Sequence, residues 1–341
     1  MKLLNTCLAL SALIFAANPS LAQDRHSHEI GPVAEHGQLS ISGTHLIDAH
    51  GQAIALSGVS LFWSNTGWHQ ERMWSAPVID YFAKQWKISL VRAAMGADGL
   101  TDDAKGGYIQ DPKANLERLD TVIKAATKDG LYVIIDWHSS HADQNTDAAV
   151  AFFKAMAHKY GHQNNIFYEI YNEPMNKVTW SADVKPYAET VISAIRAIDD
   201  HNIIIVGSPT WSQDADIAAK DPIKGYKNLT YTLHFYAGTH KDSLRAKAKA
   251  AMDNGLSVFV SEWGTVDASG NGAVATEETG KWVQFMKDNC LSNANWSVSD
   301  KAEGASIFKK GTDISHITDN DLTPSGLYVK SMIHDWKSVC K

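Results

Sequence analysis

The sequence predicts a (β/α)8 barrel. Three observations carry that expectation. Eight short apolar runs recur along the chain, and the stretches between them have helical periodicity. No Gly-rich phosphate-binding turn follows the first run, where a doubly wound open sheet would place one. The 341 residues are 44% hydrophobic and 20% charged, which is enough apolar material for one large core. No linker, low-complexity tract or repeat marks off a second domain.

Taken in order, the chain begins with Lys2, the apolar run Leu3–Ala17 and a small-residue ending at Ala22. That is the pattern of a secretory signal peptide, residues 1–22, and the run is short for a bilayer span. Export is therefore expected, to the periplasm or the medium, with no membrane anchor. Cleavage after Ala22 would remove Lys2, Cys7 and no acid, taking the net charge from −7 to −8. An acidic chain without a basic stripe argues against a nucleic-acid partner. Residues 23–37, with His26, His28 and His36, read as a flexible polar leader.

Residues 38–341 are expected to form one (β/α)8 domain. It opens on Leu39–Leu56, where two alternating runs flank Asp48-Ala49-His50-Gly51 and predict a hairpin that plugs one end of the barrel. The eight strand candidates are Ile54–Leu61, Ile88–Ala94, Leu131–Asp136, Ile166–Tyr171, Ile203–Val206, Tyr231–Phe235, Ser257–Ser261 and Asn293–Val298. Most are continuously apolar, as strands buried on both faces should be. Asp183–Asp199 places Val184, Tyr187, Val191, Ile195 and Ile198 on one helical face, with Pro186 tolerated in the first turn. Thr146–Tyr160 has a similar face, with Thr146 or Asp147 as its expected cap. Outside the cytoplasm, Cys290 and Cys340 can pair in one disulfide.

A barrel of this kind builds its active site where strand C-termini meet. The residues there are Trp63, Arg92, Asp136-Trp137-His138, Asn172-Glu173, Trp211, His234 and Tyr236, Glu262-Trp263 and Trp296. Two carboxylates stand out. Glu173 and Glu262 end separate apolar runs, where charge is costly unless solvated or paired. Glycoside hydrolysis needs such a pair, one to protonate the leaving oxygen and one to attack or to activate water. Tryptophans suit the same substrate class, because their flat rings cover the apolar faces of sugars with little entropy lost. Of the 11 in the chain, Trp63, Trp211, Trp263 and Trp296 fall at strand ends. Pro174 follows Glu173 directly and is expected to stop its strand, leaving the carboxylate at the barrel mouth.

"LSGVSLFWSNTGW", "LVRAAMG", "IIDWHS", "IFYEIYNEP", "YTLHFYAGTH", "VSEWGT" and "NANWSVSDKAEGAS" together resemble the secreted bacterial endo-β-1,4-glucanases of glycoside hydrolase family 5, over Leu39 to Trp336. The resemblance implies a retaining mechanism on a β-glucan, without cofactor or metal. It makes Glu173 the general acid/base and Glu262 the nucleophile, with Arg92 and Tyr236 supporting Glu262. It assigns Asn172 to the sugar 2-hydroxyl, and His138 and His234 to orienting the acids. Trp296 becomes the platform under the sugar on the non-reducing side, with Lys301 and Glu303 gripping that sugar. Trp63 and Trp211 become stacking residues further out.

One departure is "HSSHAD", which puts His141 close to Asp136 and His138. A metal-dependent hydrolase built on Asp136, His138, His141 and His234 is one rival reading; the loose spacing argues for a loop histidine instead. A non-catalytic carbohydrate-binding protein is another, against which the paired acids argue. A mannanase, xyloglucanase or mixed-linkage glucanase on the same barrel is the near alternative. A monomer is the expected state.

Overall fold

The computed structural model describes residues 31–98 and 105–340. The expected signal peptide and residues 23–30 of the expected leader lie outside them. The rest of that leader is folded, contrary to expectation. Pro32–His36 is a helix, with Pro32 in its first turn. His36 is buried and its Nδ1 lies 3.2 Å from Asp48 Oδ2. The backbone N–H of Val33 donates to Gly130 O, and that of Ala49 to His36 O. A buried side chain and bonds to distant residues cannot be read from a short polar stretch.

Next come three short strands, β1 (Ser40–Ser42), β2 (His45–Ile47) and β3 (Ala53–Ile54), in an antiparallel sheet of that order. The expected hairpin is the β2–β3 pair, with Ile47 opposite Ala53. Asp48 closes its turn by accepting from the N–H groups of His50 and Gln52. Leu39, Leu46, Ile54 and Leu56 pack against Leu90, Tyr132, Ile134, Phe167, Ile203 and Phe259 from the barrel strands. This sheet therefore seals the end of the barrel opposite the site.

The barrel consists of β4 (Ser57–Leu61), β5 (Leu90–Gly96), β6 (Tyr132–His138), β7 (Ile166–Glu169), β8 (Ile203–Val206), β9 (Leu229–Tyr236), β10 (Val258–Gly264) and β11 (Asn293–Val298). They lie in chain order, all parallel, and β11 closes on β4. All eight expected runs are strands.

Alternation along these strands decides what enters the barrel. In β6, Val133, Ile135 and Trp137 face the helix layer, while Tyr132 and Ile134 fill the barrel floor. Asp136 and His138 share the inward parity. In β5, Leu90 is inward, so Arg92 is too; in β7, Phe167 is inward, so Glu169 is too. On these three strands the floor is apolar and the layer above it is charged, two residues higher.

Among the helices, Thr146–Tyr160 matches its expected span, but neither Thr146 nor Asp147 caps it. Its N-cap is Asn145, without a side-chain cap bond. Thr146 Oγ1 is instead engaged with Asp143 O. The helix expected over Asp183–Asp199 runs Lys185–Arg196 after a π turn at Trp180–Val184. Cys290 and Cys340 form a disulfide, tying the C-terminal segment to the end of the helix Thr276–Asp288.

Candidate active site

The site is assembled around Arg92, which is fully buried. Its Nε donates to Glu169 Oε2 at 2.6 Å, and NH2 to Glu169 Oε1 at 3.2 Å. NH1 donates to Glu262 Oε2 at 2.9 Å, and NH2 to Asn172 Oδ1 at 2.7 Å. Asp136 Oδ2 is 2.9 Å from NH2. One guanidinium thus organises three carboxylates and fixes the amide of Asn172. A planar donor fork is suited to this in a way that an ammonium is not.

Burial by itself would weaken the hold of Arg92 on its proton, but Asp136, Glu169 and Glu262 raise it. The carboxylates respond unequally. Burial would raise Glu169, yet Arg92 and the bonds made to it hold this carboxyl down to about 2. Asp136 goes the other way: burial, aided by Glu169 and Glu262, lifts it well above the carboxylate range despite Arg92. Its Oδ2 is 2.6 Å from His138 Nδ1. Burial, together with Arg92, lowers His138 to about 3, so the ring is neutral at neutral pH.

Glu262 sits on β10 at a bulge. Phe259 is paired with Thr232 but Glu262 with His234, so β10 carries one extra residue. The bulge turns Glu262 into the barrel beside Ser261, which strict alternation would forbid. Trp263 consequently faces the helix layer. It is fully buried, stacks on Phe235 and donates from Nε1 to Asn293 Oδ1. It is no part of the rim, contrary to the expectation from its position. Tyr236 Oη donates to Glu262 Oε1 at 2.9 Å.

Glu173 lies beyond the strand. The β7 ladder ends at Glu169, so Pro174 is not what ends it. Pro174 instead packs on Gly207, where an added Cβ would stand 3.1 Å from its Cδ. Its carbonyl accepts from Trp211 N–H at 2.8 Å. Glu173 is half-buried, and its Oε1 lies 2.9 Å from His234 Nδ1. Burial would lower His234, but Glu262, Glu169 and Glu173 raise it to about 9. Oxygen and nitrogen atoms of Glu173, His234 and Glu262 all come within 4.8 Å of one another. These three groups could chelate a cation. Asp136 and His138, by contrast, are turned on each other and on Arg92, whose charge opposes a metal.

The aromatic wall stands beside the acids. Trp296 is stacked on the His138 ring at 5.3 Å and 4°, and lies 5.2 Å from Phe62. Trp63 meets His138 edge-on at 4.2 Å and Trp68 at 5.4 Å. Lys301 Nζ is 2.5 Å from Glu303 Oε2 and lies over Phe62. Trp211 is 37% exposed and lies next to Pro174, on a turn in which Thr210, Trp211 and Ser212 all have positive φ. His141 lies on the loop after β6, where its N–H donates to Ser139 Oγ.

Sequence reading thus named the converging groups but missed Glu169, Ser261, Phe62 and Trp68. Glu169 had a signal: it stands two residues beyond the inward Phe167.

The family model for cellulase (glycosyl hydrolase family 5) matches residues 47–302. The chain belongs to that family, and it is a glycoside hydrolase. It is 51% identical over 298 residues to endoglucanase Z of Dickeya dadantii, covering 87% of this chain and 66% of that protein. It is 41% identical to an endoglucanase of Clostridium saccharobutylicum, covering 95% of this chain and 71% of that one. The chain thus spans about two thirds of the length of these relatives. Among solved structures, the catalytic domain of Thermobifida fusca endoglucanase Cel5A superposes with a TM-score of 0.82 at 30% identity, covering 89% of this chain and all of that one. A variant of that domain has been solved with cellotetraose, and superposes with a TM-score of 0.80.

Proposed function

We propose that this chain is a retaining endo-β-1,4-glucanase in which Glu262 is the nucleophile and Glu173 the acid/base. The observation that carries the reading is the approach of the two carboxylates: their oxygens come within 4.8 Å. Retaining glycosidases hold the pair about 5–5.5 Å apart, whereas inverting enzymes leave about 6.5–9.5 Å for a water. The endoglucanase names of the relatives support the substrate class.

In the first step the Glu262 carboxylate attacks the anomeric carbon. Glu173 passes its proton to the glycosidic oxygen as the C–O bond breaks. In the second, the Glu173 carboxylate takes a proton from water, whose oxygen attacks the same carbon and releases Glu262. Arg92 and Tyr236 each bond one oxygen of Glu262, so the carboxylate is oriented before it attacks and has donors waiting when its charge returns. Arg92 holds Asn172 Oδ1, which aims the amide N–H groups at the sugar 2-hydroxyl. Trp296 supports the sugar on the non-reducing side, Lys301 and Glu303 bind its hydroxyls, and Trp63 and Trp211 extend the cleft. The Cys290–Cys340 disulfide and the N-terminal pattern fit export after cleavage near Ala22. All these groups come from one chain, which supports action as a monomer.

Reducing-sugar release from carboxymethylcellulose, with mannan and xyloglucan alongside, tests the substrate. Cleavage of the cellulose derivative well above the other two is expected. Preference for mannan or xyloglucan would transfer the site to the near alternative.

A further inference from the structure

Glu169 and Ser261 have no place in the mechanism above, yet they join its two halves. Glu169 is fully buried and holds Arg92 by two bonds, and Arg92 holds Glu262. Glu169 Oε1 also accepts the hydroxyl of Ser261 at 2.6 Å. Ser261 Oγ is 3.1 Å from His234 Nε2, and His234 Nδ1 is 2.9 Å from Glu173 Oε1. An unbroken line of polar contacts therefore runs from the guanidinium to Glu173.

We propose that Glu169 and Ser261 are positioning residues that lock the tautomer of His234, so that its Nδ1 holds and returns the proton of Glu173. The proposal rests on Glu173 being the acid/base.

The direction of each bond follows from donor chemistry. An ionised Glu169 can only accept. Ser261 must spend its one hydrogen on Glu169, so its oxygen is left to accept from His234. His234 therefore carries a hydrogen on Nε2. Its Nδ1 then has one variable proton, facing Glu173 and nothing else. The pair shares one proton: in the resting site Nδ1–H bonds the Glu173 carboxylate, and as that proton crosses to Glu173 and on to the leaving oxygen, Nδ1 becomes a neutral acceptor. The proton that Glu173 takes from water in the second step returns to the pair. Without the lock, the hydrogen could sit on Nδ1 alone and leave Nε2 bare against Ser261, and the acceptor state facing Glu173 would be lost. The charged groups around His234 are Glu173, Glu169, Glu262 and Asp136, with Arg92 behind Glu169. Their balance favours a proton on the ring.

The parity of β7 and of β10 explains why these two residues face each other. Glu169 is inward because Phe167 is, and Ser261 is inward because Phe259 is; the bulge then turns Glu262 in beside it.

Ser261→Ala is the first test, since it removes one buried hydroxyl and leaves both charges. Hydrolysis of cellooligosaccharides, whose leaving group needs a proton, should fall at least about tenfold, as general acid catalysis is impaired. Glycosylation by a dinitrophenyl cellobioside, whose leaving group needs none, should stay within about twofold of the parent by the same reasoning. The alkaline limb of the pH profile should move to lower pH. Glu169→Gln should move it the same way, because an amide can donate to Ser261 and reverse the line. Equal losses on both substrates with an unmoved pH profile would overturn the proposal and leave Ser261 a packing residue. Glu173→Ala is the control. Loss of cellooligosaccharide cleavage with retained glycosylation by the activated substrate upholds the acid/base assignment. Equal losses on both substrates would remove that assignment and the relay with it.

Discussion

Gly264 is the position at which a single methyl group should disable the site without touching a polar atom. A Cβ built there would stand 2.3 Å from Tyr236 Cδ1 and 2.5 Å from Cε1. Carbon atoms rest about 3.5–4.0 Å apart, so the ring must swing by more than about 1 Å. Retreat of the backbone is blocked. Tyr236 N–H donates to His240 Nδ1 at 2.9 Å, and Ala237 N–H to Gly264 O at 2.9 Å. The hydroxyl lies at the end of that ring, 2.9 Å from Glu262 Oε1. A displacement of that size takes the bond out of range. A hydrogen bond to a charged group contributes about 1.5–3 kcal/mol, which corresponds to a loss of roughly ten- to a hundredfold in kcat/KM. Overpacking adds about 1–3 kcal/mol of lost stability.

The assay is kcat/KM of Gly264→Ala on a soluble cellooligosaccharide, beside Tyr236→Phe and the double variant, with urea unfolding of each. The two single losses should not multiply in the double variant, since both remove one contact. Parent-like activity of Gly264→Ala, or a fully multiplicative double variant, would refute the reasoning.

Three further outcomes follow from the same structure. Cys290→Ser opens a loop of 50-residue separation; the chain-entropy relation gives a loss of about 4 kcal/mol. For a domain of this size that is on the order of 6 °C in Tm, measurable by calorimetry. Stability should also depend on pH from both sides. His138 is held at about 3 when folded, below the usual 6.5 of a histidine, so its contribution is present above that value and lost as the pH falls toward 3. Glu169, held at about 2, loses its contribution below about 4.5. His234, raised to about 9, stabilises fully below 6.5 and less as the pH rises through 9. Urea midpoints against pH should therefore fall on both limbs, and His234→Asn should flatten the alkaline one. Trp211→Ala should raise KM by roughly tenfold with kcat little changed, as loss of a platform removes uniform binding.

The barrel was legible because continuous apolar runs and helical faces alternate eight times, and each run became a strand. The acids were legible because charge at the end of such a run is rare without a use. What escaped was set by three-dimensional register. Glu169 lies inside the run "IFYEIYNEP" and looked like part of a core strand, although its parity with Phe167 points it at Arg92. Ser261 shares the inward parity of Phe259, while the outward turn of Trp263 depends on a bulge that no residue of "VSEWGT" announces. The helix at Pro32–His36 is held by contacts to residues far along the chain, such as Gly130, and polar composition concealed it.

Covalent capture of the intermediate tests the central claim most directly. A fluorinated cellobioside that glycosylates the enzyme but turns over slowly would be incubated with the protein, which is then digested and analysed by mass spectrometry. The account predicts one added cellobiosyl group, on the peptide carrying Glu262 and on that carboxylate. A label on Glu173, or activity on cellooligosaccharides with no label and inverted product, would contradict it.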